Sequence, residues 1–180
     1  MRIEHGDIVI RNAEKEDCEK LAAWWNDGNV MAHAGFPLGL GITAEEIEKK
    51  IETDGDTTRR RLIIEYRNHR IGEMNYTDKG NQTAEIGIKI CETEYQDKGL
   101  GKIILSLLIR ELFSTGYKKI VLDTNLDNKR AQHVYEKLGF RKVRVCENSW
   151  KDQLGRPQSA VDYELYPGAF IDFSGSGILS

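Results

Sequence analysis

The sequence feature that most constrains the fold is an apolar strand, a glycine turn and an apolar helix that follow one another directly. Residues 84–91 have the composition of a strand, and Gly99 and Gly101 lie in the turn behind it. Residues 102–115 form the strongest helical pattern in the sequence, and Gly116 stands where a left-handed residue commonly ends a helix. This succession predicts a sheet with the helix packed across it.

The other predicted elements place this unit inside a mixed sheet. Strands are predicted over 8–11, 61–66, 70–76, 120–124, 140–145 and 160–166, and helices over 14–26 and 128–138. A capping-box pattern at 43–46 opens a further helix that carries Ile47 and Ile51. An antiparallel meander followed by alternating strands and helices favours an α+β (mixed α/β) fold with helices on both faces. No repeat or long linker divides the 180 residues, so we expect one domain over 1–180.

Composition and charge argue against several classes of protein. With a formal net charge of -3, nucleic acid is not an expected partner, and the short basic clusters at 59–61 and 141–144 suit a solvated surface. The longest apolar run, 103–109, is too short to span a bilayer, so we expect no membrane segment. Cys18, Cys91 and Cys146 are dispersed without ligand spacing. They predict free thiols, no metal site and, by elimination, a cytoplasmic protein.

The segment 95–102 has the chemistry of an anion site. A helix N-terminus leaves backbone N–H groups unpaired and carries the positive end of the helix dipole. Glycines let an anion approach those amides, and Lys98 and Lys102 add positive charge. The segment lacks the third glycine of a dinucleotide fingerprint, because Ile104 stands there, and the hydroxyl of a P-loop, because Ile103 follows Lys102. An ordinary glycine-rich strand-to-helix turn is the alternative.

A second segment adds polar groups on one helix face. Asn128 and Tyr135 are seven residues apart, which is two helical turns or roughly 10.5 Å along the axis. The plainer interpretation is structural. In it, Asn128 or Asp127 caps the helix, Val134 and Leu138 are core, and Tyr135 is half-buried.

Together the two segments resemble the GNAT superfamily of acetyl-CoA-dependent N-acetyltransferases. That family's phosphate loop, Gln/Arg-x-x-Gly-x-Gly/Ala, is matched by Gln96, Gly99 and Gly101. Its later motif, Asn-x-x-Ala-x-x-x-Tyr-x-x-x-Gly-Phe, is matched by Asn128, Ala131, Tyr135, Gly139 and Phe140. One departure is Asp97, where many members have a glycine and where a carboxylate weakens the local attraction for phosphate. The resemblance implies a twisted, mostly antiparallel sheet, splayed in the middle and flanked by helices on both faces.

The resemblance also implies where the cosubstrate, acetyl-CoA, would bind. Its diphosphate would lie on the turn, and the residues concerned are Gln96, Asp97, Lys98, Gly99, Leu100, Gly101 and Lys102. The pantetheine arm would bond to backbone groups of Ile88 and Ile90 like an added strand, and a backbone N–H there would polarise the thioester carbonyl. Asn128 would contact the arm, and Ala131 would leave room for it. Tyr135 would protonate the departing thiolate as general acid.

The reaction implied is direct attack of a primary amine on the thioester in a ternary complex. The amine must be neutral to attack, so some group must remove a proton from it, directly or through water. Glu73 and Glu85 are the candidate bases because they lie on adjacent predicted strands, and Asp123 is a weaker candidate. On the plainer interpretation each is a polar residue of a half-exposed strand.

The acceptor side is less defined by the sequence. In the family the first helices and the following loop line it, which here means Trp24, Trp25, Asn26, His33 and Phe36. The Trp-Trp-Asn run and the connection 150–156 are most similar to the branch that includes ribosomal-protein N-terminal and polyamine acetyltransferases. The acceptor would then be a small-molecule amine or a protein N-terminus. The two tryptophans predict either an aromatic wall that binds an amine or packing in the core. Because they are consecutive, at most one of them faces inward.

Two other functions stay open. An antibiotic-modifying acetyltransferase would want an acidic cleft, for which Glu45, Glu46, Glu48 and Glu52 are available, although a helix surface explains them equally. A non-catalytic acyl-CoA sensor or partner-binding module is the alternative from a different class.

The C-terminal segment carries two further predictions. Residues 170–173 are apolar and would extend a sheet edge or pack on a second copy, giving a homodimer. The tail from Ser174 is small and polar and is predicted to fray.

Overall fold

The computed structural model describes residues 1–175, and in that range one eight-stranded sheet carries helices on both faces. The strands are β1 (Arg2–His5), β2 (Ile8–Asn12), β3 (Arg59–Tyr66), β4 (His69–Asp78), β5 (Thr83–Ile90), β6 (Lys119–Asn125), β7 (Arg141–Lys151) and β8 (Pro157–Leu165). The helices are α1 (Cys18–Asn26), α2 (Gly28–Met31), α3 (Ala44–Glu52), α4 (Leu100–Ser114) and α5 (Lys129–Lys137). None of the helices in residues 1–175 is both long and apolar enough to cross a membrane.

Three of the differences from the predicted elements have a clear local cause. β1 was not predicted because it is a short, largely polar edge strand with alternating exposure. α1 begins at Cys18 rather than at residue 14, since Glu14 and Asp17 form a capping box around a short 3-10 turn. β7 continues to Lys151 because it pairs with β8 as far as Pro157, although its outer half has no apolar alternation.

The sheet order is β1-β2-β3-β4-β5-β6-β8-β7. Every neighbouring pair is antiparallel except β5 and β6, which are parallel. That pair is joined only at Thr83–Lys119, Ala84–Ile120 and Glu85–Val121, although both strands continue beyond it. The sheet therefore splays between β5 and β6, which confirms the predicted mostly antiparallel, splayed architecture.

The sheet is buried on both faces, and β3 shows why. Leu62 and Ile64 pack in the core beneath α4 and α5, whereas Ile63, which points the opposite way, packs with α1 and α3. Strands buried on both faces form near-continuous apolar runs, as this one does. The two layers fix β4 and β5 between them, so the splay opens at a defined place.

The C-terminal segment packs on its own chain. The Ile171 N–H donates to the Leu138 carbonyl, Phe170 lies edge-on to Phe113, and the Phe173 N–H donates to Ser106 Oγ at 2.9 Å. The prediction that 170–173 extend a sheet edge is therefore wrong, whereas packing on a second copy, giving a homodimer, stays a prediction. The predicted fraying from residue 174 is also wrong at its start, because Ser174 is only 3% exposed. Residues 176–180 of that predicted tail lie outside the described residues.

Candidate active site

A cleft of about 920 Å³ opens where β5 and β6 diverge. It reaches through the sheet, with walls from β4, β5, the turn before α4, the end of β6 and the start of α5. The predicted site residues that line it are Glu73, Ile88, Ile90, Gln96, Asp97, Gly99, Leu100, Gly101, Lys102, Asn128, Ala131 and Tyr135. Two predicted residues, Glu85 and Lys98, are not among its lining residues.

One wall of the cleft is the free edge of β5. This strand pairs with β4 up to Ile90, but its pairing with β6 ends at Glu85. From Ile86 to Ile90 the edge that faces β6 therefore has no neighbouring strand among the described residues. Such an edge presents backbone donors and acceptors to an extended partner, which is how a chain can add itself to a sheet.

The turn before α4 presents backbone amides to the cleft. Gly99, the residue before the helix, has φ +74° and offers no side-chain cap, and no acidic residue lies in the first turn. Gln96 Nε2 donates to the Ile90 carbonyl at 2.8 Å and so anchors the turn to the end of β5. Added Cβ atoms at Gly99 and Gly101 would have nearest neighbours 3.9 Å away, Lys102 Cε and Ile90 Cδ1.

The absence of a Cβ at Gly101 is thus not required by the chain's own packing. It leaves open the space in front of the helix amides, where an anion gains from both the N–H groups and the helix dipole. A diphosphate therefore fits the turn, and the β5 edge beside it fits an extended amide-bearing arm.

The cationic side chains around the turn have separate roles. Lys102 lines the cleft with its ammonium 4.9 Å from the Phe173 ring centre, whereas Lys98 lies over the Tyr95 ring. Arg130, from the first turn of α5, bonds to Asp97 at 3.2 Å and to Gln96. The carboxylate that stands where many family members have glycine is therefore compensated by a neighbouring guanidinium.

At the start of α5, Asn128 both caps the helix and lines the cleft. Asn128 caps the helix, with Oδ1 accepting from the Ala131 N–H at 3.2 Å, as the plainer interpretation predicts. Asn128 and Ala131 also line the cleft, two turns and one turn before Tyr135 respectively. The cap fixes the helix start at the cleft and leaves the Asn128 amide nitrogen as a donor.

The Tyr135 ring is buried, whereas its hydroxyl is available. The residue is 7% exposed, and its ring packs edge-on against Phe140 and Tyr163. Its hydroxyl makes no hydrogen bond within residues 1–175, and no side-chain polar atom buried there lacks a partner, so this oxygen faces the cleft. Burial, and then the charge of Asp123, raises the pKa of Tyr135 to about 12. The hydroxyl is therefore a protonated donor at neutral pH.

Glu73 lies opposite, on the α1 side of the sheet, and is only 8% exposed. Its Oε1 accepts from Trp25 Nε1 at 2.8 Å and from the ammonium of Lys89 at 3.2 Å. Lys89 is the direct cross-strand neighbour of Glu73 and also lines the cleft. Both donors bond to Oε1, and Oε2 has no hydrogen-bond partner among residues 1–175, so it is available as an acceptor.

Glu85 does not join this site. It lies on β5 where that strand still pairs with β6, so there is no opening in front of it, and it pairs instead with Lys79 at 3.3 Å. Asp123 lies at the wall of the cleft while remaining exposed. Partial removal from water, and then the charges of Glu85 and Asp162, raises the pKa of Asp123.

The predicted acceptor residues separate into lining and structural groups. His33 lines the cleft, and Trp25 reaches it through Glu73. Trp24 belongs to the core beneath α1, where its indole N–H donates to Glu92, and Phe36 is exposed outside the cleft.

The acidic cluster of α3 does not line the cleft. Glu46 completes the capping box with Thr43, and Glu48 pairs with Lys15. Lys89 and Asn75 were not predicted as site residues. The only sequence signal for either residue is that it lies two positions from another lining residue of the same strand and therefore on the same face of the sheet.

The β7–β8 hairpin closes the rim of the acceptor side. Trp150 lines the cleft and packs on Gly35, where an added Cβ would lie 2.4 Å from the indole ring. Gln153 bonds to the same loop, accepting from the Leu38 N–H and donating from its side-chain amide to the Gly39 carbonyl. Within residues 1–175 no group of three or more His, Cys, Asp or Glu side chains is placed to hold a metal ion.

Comparison with known proteins identifies the family. Residues 7–141, most of the chain, match the family described as Acetyltransferase (GNAT) domain. The chain belongs to the GNAT acetyltransferase family. The predicted resemblance to this family is therefore confirmed.

Relatives are similar over limited parts of their length. An uncharacterized protein of Methanocaldococcus jannaschii is 27% identical over 151 residues, which cover 82% of this chain and 31% of that protein. The ribosomal protein bS18-alanine N-acetyltransferase of Haemophilus influenzae is 30% identical over 95 residues, 45% of this chain and 64% of that enzyme. The matched region thus spans less than two thirds of either relative.

Solved structures share the fold over nearly the whole chain. A spermidine N-acetyltransferase from Vibrio cholerae in complex with CoA and spermine has a TM-score of 0.81 at 21% identity, covering 92% of this chain and 98% of that one. RimL, a ribosomal L7/L12 α-N-protein acetyltransferase in complex with coenzyme A, has a TM-score of 0.82 at 16% identity, covering 94% and 99%. At these identities the similarity establishes the fold alone.

Proposed function

We propose that this protein transfers the acetyl group of acetyl-CoA to a primary amine by direct attack in a ternary complex. The observation that carries the proposal is that one cleft holds a protonated Tyr135 hydroxyl and a Glu73 carboxylate oxygen that is free to take a proton. A site that only stored an acyl-CoA would need neither group.

The cofactor half of the cleft supports the choice of acetyl-CoA. The amides from Asp97 to Lys102 would hold the diphosphate at the start of α4, and Gln96 keeps this turn on β5. Backbone groups of Ile88 and Ile90 on the free β5 edge would bond to the pantetheine arm. The solved neighbours from the spermidine and RimL enzymes contain CoA, which is consistent with this assignment.

Acetyl-CoA supplies a thioester, and the chain's own residues move the protons. Glu73 Oε2 accepts the proton that an ammonium must lose before its nitrogen can attack, directly or through one water. A backbone N–H of the β5 edge stabilises the carbonyl oxygen as its negative charge develops. The Tyr135 hydroxyl gives its proton to the departing thiolate sulfur. The attacking nitrogen loses its second proton to solvent as the carbon–sulfur bond breaks. The products are the acetylated amine, the free thiol and one released proton, after Glu73 has returned its proton to solvent and Tyr135 has regained one from it.

Release of free thiol in the presence of an amine panel tests the proposal. The panel holds polyamines, aminoglycosides and peptides with different N-termini, and acetyl-CoA binding is measured alongside. Because phenylalanine cannot donate a proton, Tyr135→Phe is expected to lower kcat roughly 100-fold and to leave acetyl-CoA binding nearly unchanged. Tyr163→Phe is the matched control, since that buried ring touches Tyr135 but its hydroxyl bonds to Glu136.

Two outcomes would contradict the proposal in different ways. Unchanged turnover in Tyr135→Phe would remove Tyr135 as the acid. Tight acetyl-CoA binding without turnover on any amine would instead support a non-catalytic acyl-CoA-binding module.

A further inference from the structure

We infer that Lys89 is a specificity-determining residue that selects acceptors in which the amine is adjacent to a carbonyl or carboxylate oxygen. Such acceptors are the α-amines of amino acids and of peptide N-termini. The inference rests on the proposed function and deepens it, because it names the substrate class of the same cleft.

The first reason is the position of the lysine. Lys89 Nζ lies 3.2 Å from Glu73 Oε1 and 3.3 Å from Met31 Sδ, and both Glu73 and Lys89 line the cleft. An ammonium has three donors, so one remains for a substrate. In an α-amine the nitrogen and the carbonyl oxygen are about 3 Å apart, as bond lengths near 1.5 Å require. A base and a cationic donor side by side therefore match the two polar ends of an α-aminoacyl group.

The second reason is the acidity of the ammonium that must be deprotonated. An α-ammonium has a pKa of about 8, whereas a lysine-like alkylammonium has a pKa of about 10.4. At neutral pH a carboxylate therefore removes the proton of an α-ammonium at a lower free-energy cost.

The third reason is the charge of the whole cleft. The lining residues carry three carboxylates, Glu73, Asp97 and Asp123, and four cationic side chains, Lys89, Lys102, Arg130 and Lys137. Glu73 is paired with Lys89 and Asp97 with Arg130, which leaves Asp123 as the one lining carboxylate without an ion pair among residues 1–175. An elongated polycation would need several unpaired carboxylates, since each of its ammonium groups must be matched when it leaves water.

A matched pair of acceptors tests the role of Lys89. Alaninamide and isopropylamine share the amine-bearing carbon and a methyl group but differ in the carbonyl. We expect wild-type kcat/KM to favour alaninamide at least tenfold. Lys89→Met removes a bond that positions Glu73, so it is expected to lower kcat/KM for both acceptors, and to lower it about tenfold more for alaninamide than for isopropylamine. The ratio between variant and wild type cancels the different basicities of the two amines.

The controls use a second lysine–glutamate pair of the same sheet. Lys79 pairs with Glu85 at 3.3 Å outside the cleft, so Lys79→Met is expected to leave both acceptors unaffected. Lys89→Arg keeps the charge and is expected to keep part of the preference. Unchanged acetyl-CoA binding shows that each variant has kept the fold of the site.

The possible results separate this inference from the proposed function. Equal losses on both acceptors in Lys89→Met, or a wild-type preference for spermidine over alaninamide, would overturn the role of Lys89 while leaving acetyl transfer intact. No thiol release with any amine would overturn both. When alaninamide is preferred, a faster reaction with free alanine than with an alanine-initiated peptide supports a carboxylate acceptor, and the reverse supports a peptide N-terminus.

Discussion

The two halves of the cleft differ in whether backbone groups or side chains form most of their surface. The proposed cofactor half consists largely of backbone, namely the free edge of β5 and the amides behind Gly99 and Gly101. The acceptor half consists of side chains, with Glu73 fixed by Trp25 and Lys89 across two strands and a helix. Substitutions in the first half should therefore act through backbone geometry and cofactor affinity. Those in the second half should act on proton transfer and choice of amine.

The largest expected effect separates the two candidate carboxylates of the same sheet face. Glu73→Gln removes the only cleft carboxylate held between Trp25 and Lys89, and we expect kcat to fall roughly 100-fold with acetyl-CoA KM unchanged. Glu85→Gln is the matched control, because Glu85 is half-buried and pairs with Lys79 outside the cleft. Steady-state kinetics on both variants checks this. A larger loss in Glu85→Gln than in Glu73→Gln would transfer the role of base to Glu85.

The sequence alone does not show that Glu73, rather than Glu85, lies in the cleft. Glu73 and Glu85 lie on adjacent strands with similar local composition, so sequence patterns rank them equally. What separates them is the end of the β5–β6 pairing after Glu85, a property of two strands thirty-odd residues apart in the chain. That the residues of the turn at 96–102 lie together was predictable, because they are contiguous and their spacing reflects backbone needs.

The roles of the two tryptophans could not be assigned from sequence alone either. Trp24 and Trp25 are consecutive, and the helical period alone does not say which one reaches a site. The structure places Trp24 in the core, with its indole N–H on Glu92, and Trp25 on Glu73. That assignment depends on where β4 passes beneath α1, and this is set by tertiary packing.

An intermediate effect is expected for the backbone half. The Cβ position of Gly101 is open on the protein side, so Gly101→Val should fill space meant for the diphosphate and raise acetyl-CoA KM about tenfold, with little change in melting temperature. Gly99→Ala is the contrasting variant, because φ +74° is strained for any residue with a Cβ. It should lower the free energy of unfolding by about 1 kcal/mol. A Gly101→Val protein with unchanged KM but reduced stability would mean that this glycine serves the fold.

The smallest expected effect concerns the residue that orients the base. Trp25→Phe removes one hydrogen bond from Glu73 while Lys89 remains, so kcat should fall about three- to tenfold with little change in the KM for acetyl-CoA. Trp24→Phe removes the equivalent bond to Glu92 and should instead lower the free energy of unfolding by about 1–2 kcal/mol, because that ring lies in the core. Parallel kinetics and thermal unfolding distinguish the two results. If both substitutions affected only stability, the indole of Trp25 would serve packing and would not position Glu73. Glu73 and Lys89 would then be the two side chains that define the acceptor half.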